Sequence, residues 1–384
     1  MSHPARWVSL GLACVLALPL PFGVLAGLHL RLSPFLLLQS LLSRAPLFPL
    51  AALGGAVLLL ILWRERWFCR NVCPTGALCD AVSACRKPRA WDTFPFANKA
   101  LTLVALATAA CGAPVLAVLD PVALFHSAWG LLHAGMTAAA WVAALGLAAV
   151  LLLSLLFPRL WCLRLCPLGG LQLLAADLRR AVTRAEAGAP GGDGLSRRQA
   201  LAAASGLAVG LLLRRAVAGE VRTVLRPPGA LPEPRFTTTC CRCGNCARAC
   251  PTRIIRPALD AGDPLGLLAP RLDFSRAYCL PSCAACGRAC PTGAIAPFTI
   301  AGKGHLAIGT AEVRLDGCLL VQGKECDRCV AACEFQALGI GGGTFEPVPE
   351  VDVPRCVGCG ACAVACPAGV IAIRPAGHRE GGAK

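Results

Sequence analysis

Four cysteine runs lie between residues 240 and 366. They read Cys240-x2-Cys243-x2-Cys246-x3-Cys250-Pro251, Cys279-x3-Cys283-x2-Cys286-x3-Cys290-Pro291, Cys318-x7-Cys326-x2-Cys329-x3-Cys333-Glu334 and Cys356-x2-Cys359-x2-Cys362-x3-Cys366-Pro367. Three thiolates from one short loop and a fourth from elsewhere make the donor set of a [4Fe-4S] cubane, and in this spacing the last cysteine of a run serves the cluster of another run. Sixteen cysteines so arranged predict four [4Fe-4S] clusters. Two pairings satisfy the spacing. In the sequential one, runs one and two exchange their last cysteines, as do three and four, so that Cys290 completes the set Cys240, Cys243, Cys246. In the nested one, Cys366 does.

Other chemistries fit less well. A disulfide framework belongs to a small, loop-rich secreted chain, and this one has 384 residues, 56% of them hydrophobic. Structural zinc uses separated C-x2-C pairs. The stretch Cys279-x3-Cys283-x2-Cys286 has radical-SAM spacing, but Cys290-Pro291 completes a run there and too little chain follows for a barrel. There is no C-x-x-C-H for covalent haem and no glycine-rich strand–helix turn for a dinucleotide. The net charge of +16 does not signal nucleic acid, because many of the arginines lie in loops beside apolar runs and Tyr278 is the only tyrosine.

The elements that position this chemistry begin in a chain of mean hydropathy +0.63, which implies a membrane part joined to a soluble one. Apolar runs at 7–27, 46–63, 101–119 and 137–157 each approach the span of a bilayer. Segments 64–99 and 158–199 are rich in Lys and Arg, whereas 120–136 has none, so the positive-inside rule puts the first two in the cytoplasm and the third outside. Both cytoplasmic segments carry C-x3-C-P after an aromatic residue: Cys69 and Cys73 after Phe68, Cys162 and Cys166 after Trp161. This internal repeat offers four more thiolates, enough for a fifth cluster or a thiol redox centre. Cys14 and Cys111 read as buried apolar residues; Cys79, Cys85 and Cys241 fit no run.

A Gly- and Ala-rich linker at 186–195 leads to Arg197-Arg198, a 14-residue apolar run (200–213) and Ala216-Val217-Ala218. This reads as an internal twin-arginine signal or anchor, a route suited to a domain that folds around clusters before export. Short alternating segments at 272–274, 313–315 and 351–353 precede the later runs, the β-loop-α rhythm of ferredoxin halves. The expected fold is an α-helical membrane domain of four transmembrane helices (1–185), a linker with a twin-arginine-like signal or anchor (186–235) and an α+β, ferredoxin-like polyferredoxin domain (236–384).

On these motifs, residues 1–185 resemble the NapH/MauN-type membrane subunits and residues 196–384 the NapG/MauM-type ferredoxins, as if two partner subunits were fused. The resemblance implies a quinol dehydrogenase component in the bacterial inner membrane, with its ferredoxin domain in the periplasm. It would feed a periplasmic oxidoreductase or cytochrome. Quinol oxidation needs a proton acceptor, and segment 120–136 offers Asp120, His126 and His133, the two histidines on one face if that segment is helical. Reverse flow from a periplasmic dehydrogenase to quinone, an electron-supplying maturation factor and a redox-sensing regulator share the same motifs.

Overall fold

The computed structural model describes residues 4–17, 27–47, 49–84, 97–128, 137–186, 196–218, 224–260, 265–343 and 346–375. Among the described residues of the N-terminal part, eleven helices follow one another: α1 (Pro4–Ala17), α2 (Leu28–Arg31), α3 (Pro34–Leu42), α4 (Ala52–Trp63), α5 (Trp67–Asn71), α6 (Pro74–Ser83), α7 (Asn98–Ala110), α8 (Pro121–Ala128), α9 (Ala138–Leu156), α10 (Pro167–Glu186) and α11 (Arg197–Ala218).

The repeat of the C-x3-C-P motif extends to whole halves of this bundle. Leu32-Ser33-Pro34 opens α3, and Leu119-Asp120-Pro121 opens α8. Proline suits the first helical position, and Ser or Asp before it accepts the free N–H groups of the first turn. Asp120 Oδ1 accepts from Val122 N at 2.9 Å and Ala123 N at 3.0 Å. The two caps then meet, Ser33 Oγ donating to Asp120 Oδ2 at 2.6 Å. Farther along, Cys73-Pro74 opens α6 and Cys166-Pro167 opens α10 in the same manner, a π-turn at Trp161–Leu165 preceding the latter.

Among the described residues only α9, with 19 residues, is long and apolar enough to cross a bilayer. In the run 46–63 a 3-10 turn at Pro49–Ala51 leads into α4, together 15 residues. The run 101–119 breaks where Gly112 takes φ +84°, followed by Pro114, and resumes as a short 3-10 turn at Val115–Leu119. The expected signal or anchor segment forms α11, 22 residues with an arginine pair near each end. It packs closely on α7: a Cβ on Gly206 would lie 2.8 Å from Val104 Cα, and one on Gly210 2.9 Å from Cys111 Cβ. Small residues four apart allow such an approach of two helices.

The C-terminal part consists of two modules of one design. In the first, α12 (Glu233–Thr239), α13 (Asn245–Ala249) and α14 (Ala285–Ala289) accompany β1 (Ile255–Pro257) and β2 (Pro270–Leu272), which pair antiparallel; Ala230 and Ile295 form a second bridge. In the second, β3 (Gly309–Val313) pairs with β6 (Ile371–Pro375), and β4 (Leu338–Gly343) with β5 (Glu346–Val351), around α15 (Arg328–Ala331) and α16 (Ala361–Ala365). Each module therefore joins the segment before its first run to the segment after its second. The ferredoxin fold thus starts before residue 236: Leu225 O accepts from Leu272 N at 2.9 Å. Arg226, 7% exposed, pairs with Glu233 and lies 4.8 Å from the Phe236 ring.

The first module is seated on the bundle. Arg235 donates to the carbonyls of Ser43 (3.1 Å) and Arg44 (3.3 Å), and Arg31 to that of Arg288. A Cβ on Gly293, at φ +71°, would lie 2.0 Å from Pro46 O, so this seam needs glycine twice over. Cys241 and Cys243 join the same apolar core as Phe35, Phe68, Cys73, Trp161 and Cys166.

Candidate metal centres

The sixteen cysteines gather into four quartets, each around a cavity. Site one has Cys240, Cys243, Cys246 and Cys290; site two Cys250, Cys279, Cys283 and Cys286; site three Cys333, Cys356, Cys359 and Cys362; site four Cys318, Cys326, Cys329 and Cys366. Pairing is sequential, the outcome that spacing left open. It follows from the modules, whose paired strands bring runs one and two, and three and four, against each other.

Local chain geometry explains each quartet. In runs one, two and four a short helix holds the third cysteine, and the fourth follows in extended backbone that turns away to the neighbouring site. Backbone N–H groups aim at sulfur: Ile295 N to Cys290 at 3.4 Å, Ala337 N to Cys333 at 3.2 Å, Ala311 N to Cys356 at 3.4 Å. Each proline after a run covers the site its cysteine enters, so Pro291 lines site one, Pro251 site two and Pro367 site four. Glu334, which breaks the pattern, therefore bears on site three rather than on the triple of its own run; Phe335 lines that site.

A cubane suits these quartets. Sites two, three and four are of similar size, about 330, 310 and 380 Å³ with their open mouths included. Each of these three quartets offers four thiols around one cavity, the donor set that a cubane takes. Burial pushes Cys240 up to about 11 and Cys286 and Cys362 up to about 12; bound iron would hold them as thiolates. Cys243 is drawn down to about 7, first by the Cys241 thiol, then by the Asn245 N–H and Arg248. Cys241 fits no spacing, and nothing in the sequence marks it. Lys303, 3% exposed, donates to Cys283 O at 2.8 Å and to Leu280 O, and its charge favours the thiolate of Cys279 at site two.

A fifth quartet lies in the bundle. Cys73 is within electrostatic reach of Cys69 and Cys166, and Cys162 of Cys166 and Cys73. Gln172, fully buried on α10, donates to Cys69 Sγ at 2.9 Å and accepts from Phe68 N at 3.2 Å, tying the two halves together. Gly76 N donates to Cys73 Sγ at 3.3 Å. Cys79 hydrogen-bonds Cys162.

Asp120 and His126 lie within the bundle. Thr75 donates to Pro121 O, and Asp120 lies within reach of Cys73 and Cys166. Both Asp120 oxygens accept in the caps described above. His126 lies in the last turn of the helix that Asp120 caps; His133 lies outside the described residues. His126 meets a partner the sequence gave no reason to single out, His29, with Nε2 at 3.1 Å from His29 Nδ1. On its other side Arg248 donates to His126 O at 2.7 Å and faces Nδ1 at 3.2 Å. Guanidinium only donates, so Nδ1 accepts and the His126 proton sits on Nε2, directed at His29. Arg248 lies between Cys246 and Cys250, so this hydrogen-bonded chain crosses the seam from the bundle to site one.

Comparison with known proteins agrees with the cysteine chemistry in both parts. The 4Fe-4S binding domain family matches residues 45–90 and 139–184, one C-x3-C-P motif in each, and the 4Fe-4S dicluster domain family matches 324–370. The methylamine utilization ferredoxin-type protein MauM of Methylophilus methylotrophus is 37% identical over 163 residues, 40% of this chain and 70% of that protein. The chain belongs to the ferredoxin-type 4Fe-4S proteins. The ferredoxin-type protein NapG of Escherichia coli K12 is 34% identical over 178 residues (43% of this chain, 74% of NapG), and NapF of the same strain 34% over 153 (38% and 82%). No solved structure matches. The relatives are ferredoxin-type iron–sulfur proteins, and electron transfer is the chemistry this chain shares with them.

Proposed function

We propose that this chain is a membrane-bound carrier that takes electrons from quinol and passes them along five [4Fe-4S] sites to a redox partner in the periplasm. The observation that carries the proposal is the order of the quartets. The bundle quartet and site one share one apolar core; Cys246 of site one lies within reach of Cys286 of site two; Cys279 N of site two donates to Cys359 O of site three at 2.9 Å; and site four ends the second module. Bound cubanes would each accept and release one electron. The residues do the rest: they space the sites, keep them dry and, through Lys303 and the N–H donors, set their relative ease of reduction.

Membrane attachment is supported by large apolar side chains left exposed on the bundle, among them Leu59 (69%), Trp63 (73%), Leu145 (61%) and Leu152 (57%). The two ends of α4 differ. Its N-terminal approach, Arg44 and Pro46, meets the first module; past its C-terminal end, Glu65 pairs with Arg179 and Arg180. With the arginine-rich end in the cytoplasm, the modules project outward, and α11 stays as an anchor against α7. The methylamine-utilization relatives favour one second reading, in which a dehydrogenase outside the membrane sends electrons inward along the same line to quinone.

The test is anaerobic addition of a short-chain quinol to vesicles containing only this protein, followed by low-temperature EPR. Cubane signals are expected, with discharge to an impermeant oxidant only where the modules face outward. Clusters that dithionite reduces but quinol leaves oxidised, in either vesicle orientation, overturn the proposal.

A further inference from the structure

The two halves of the bundle repeat beyond their cysteine pairs. One reads Cys69-x3-Cys73-Pro74-x-Gly76-x2-Cys79, the other Cys162-x3-Cys166-Pro167-x-Gly169-x2-Gln172. The glycines act alike: the N–H of Gly76 bonds to Cys73 Sγ, and that of Gly169 to Cys166. Six residues past its second cysteine, each half then carries a polar side chain with no exposed surface, Cys79 on α6 and Gln172 on α10. Both reach across the bundle. Gln172 Nε2 lies 2.9 Å from the Sγ of Cys69, the first cysteine of the other half. Cys79 hydrogen-bonds Cys162, which is again the first cysteine of the other half. Cys79 is thus a fifth thiol at this centre, outside every run, and the repeat gives it a counterpart. That counterpart is an amide, which serves as a hydrogen-bond donor to sulfur rather than as a ligand to iron.

We infer that Cys79 and Gln172 are a matched pair of positioning residues, each donating a hydrogen bond to the first cluster ligand of the opposite half and together raising the reduction potential of the bundle cluster. The inference rests on the reading above, in which Cys69, Cys73, Cys162 and Cys166 hold that cluster. A thiolate bound to iron has no proton to give. It accepts, and the Cys79 S–H and the Gln172 N–H donate. Hydrogen bonds to the sulfurs are one of the means by which a protein sets a cluster's potential. Reduction adds one negative charge, so a donor aimed at sulfur stabilises the reduced state more than the oxidised one. The two members are unequal. A thiol is a weak donor, whereas the Gln172 amide is a full one and is fixed in orientation, its Oε1 accepting from Phe68 N at 3.2 Å. Gln172 therefore contributes the larger share. Because each donor comes from the half that does not carry its acceptor, the cluster reaches its full potential only when the two halves are packed together.

The experiment is a redox titration of cluster-loaded, full-length protein in vesicles, followed by low-temperature EPR at the bundle signal, the one that Cys73→Ser removes. Cys79→Ala and Cys79→Ser both lose the sulfur, and only serine keeps a donor. Cys79→Ala should make the bundle cluster about threefold harder to reduce at equilibrium, and Gln172→Leu about tenfold, which is about 59 mV for one electron. Cys79→Ser should return the potential to the wild-type value or above it. Iron content and the four module signals should stay unchanged in all three. Equal potentials in Cys79→Ala and Cys79→Ser, or a Gln172→Leu potential equal to the wild type, overturn the inference and leave the bundle cluster standing. Loss of one cluster's iron in Cys79→Ala also overturns it, by making Cys79 a ligand. A wild-type protein with no signal sensitive to Cys73→Ser overturns the reading of the bundle quartet, and the inference with it.

Discussion

The bundle quartet and the ferredoxin quartets hold the same number of thiols by opposite means. Each ferredoxin quartet takes three cysteines from a loop of at most about a dozen residues, and a two-stranded pairing delivers the fourth. The bundle quartet takes two from each of two segments about ninety residues apart, and nothing local brings them together. Contact between the halves does so, through Gln172 against Cys69 and Phe68 and through Ser33 on Asp120. A local site survives changes to distant packing; an assembled one does not. The difference also explains why site one can serve both parts: it is local by construction, yet Cys241 and Cys243 belong to the core of the bundle.

The largest expected effects come from the thiols. Cys73→Ser should remove the bundle cluster, lowering iron by roughly one cluster in five, and leave the four module signals intact by EPR. Cys290→Ser should perturb the same signal as Cys240→Ser, and Cys366→Ser the same signal as Cys318→Ser. Were Cys366→Ser to match Cys240→Ser instead, the nested pairing would hold and the two-module description would be wrong.

Much of this was legible in the sequence, and the limits are physical. Cysteine spacing named the sixteen module residues and the four of the bundle because cluster ligation constrains short loops. Pairing was not legible, because both arrangements close loops of acceptable length and only strand partners choose between them. Hydropathy counts Gly112 and Pro114 within one apolar run, whereas the helix of that run ends at Ala110. Asp120 read as a proton acceptor because it is an acid in a charge-poor loop; its caps became visible only once Leu119-Asp120-Pro121 could be set beside Leu32-Ser33-Pro34. His29 had no signal, since a lone histidine in an apolar stretch is ordinary until its partner is known.

Arg248 tests the seam itself. Arg248→Met removes charge-assisted bonds to His126 and Asn245, each worth about 1.5–3 kcal/mol. Iron content should hold, whereas reduction of site one through the bundle should slow relative to its reduction by dithionite. Equal slowing by both reductants would assign the effect to a damaged site one rather than to the seam.

Lys303 offers a smaller and cleaner comparison, between sites two and three, because a buried ammonium lies beside only the first. Site two should be the easier of the two to reduce, since added negative charge is stabilised there. One charge at roughly 8 Å in an effective dielectric of about 20 contributes on the order of 2 kcal/mol, or roughly 90 mV for one electron. Lys303→Met should therefore lower the potential of site two by up to that amount and leave site four, in the other module, unmoved. Redox titration followed by EPR reads both at once. A uniform shift of all the signals would mean that the lysine acts on the fold, through the Leu280 and Cys283 carbonyls it holds. A shift confined to site two would mean that a single cation sets the slope of the electron path at the junction of the two modules.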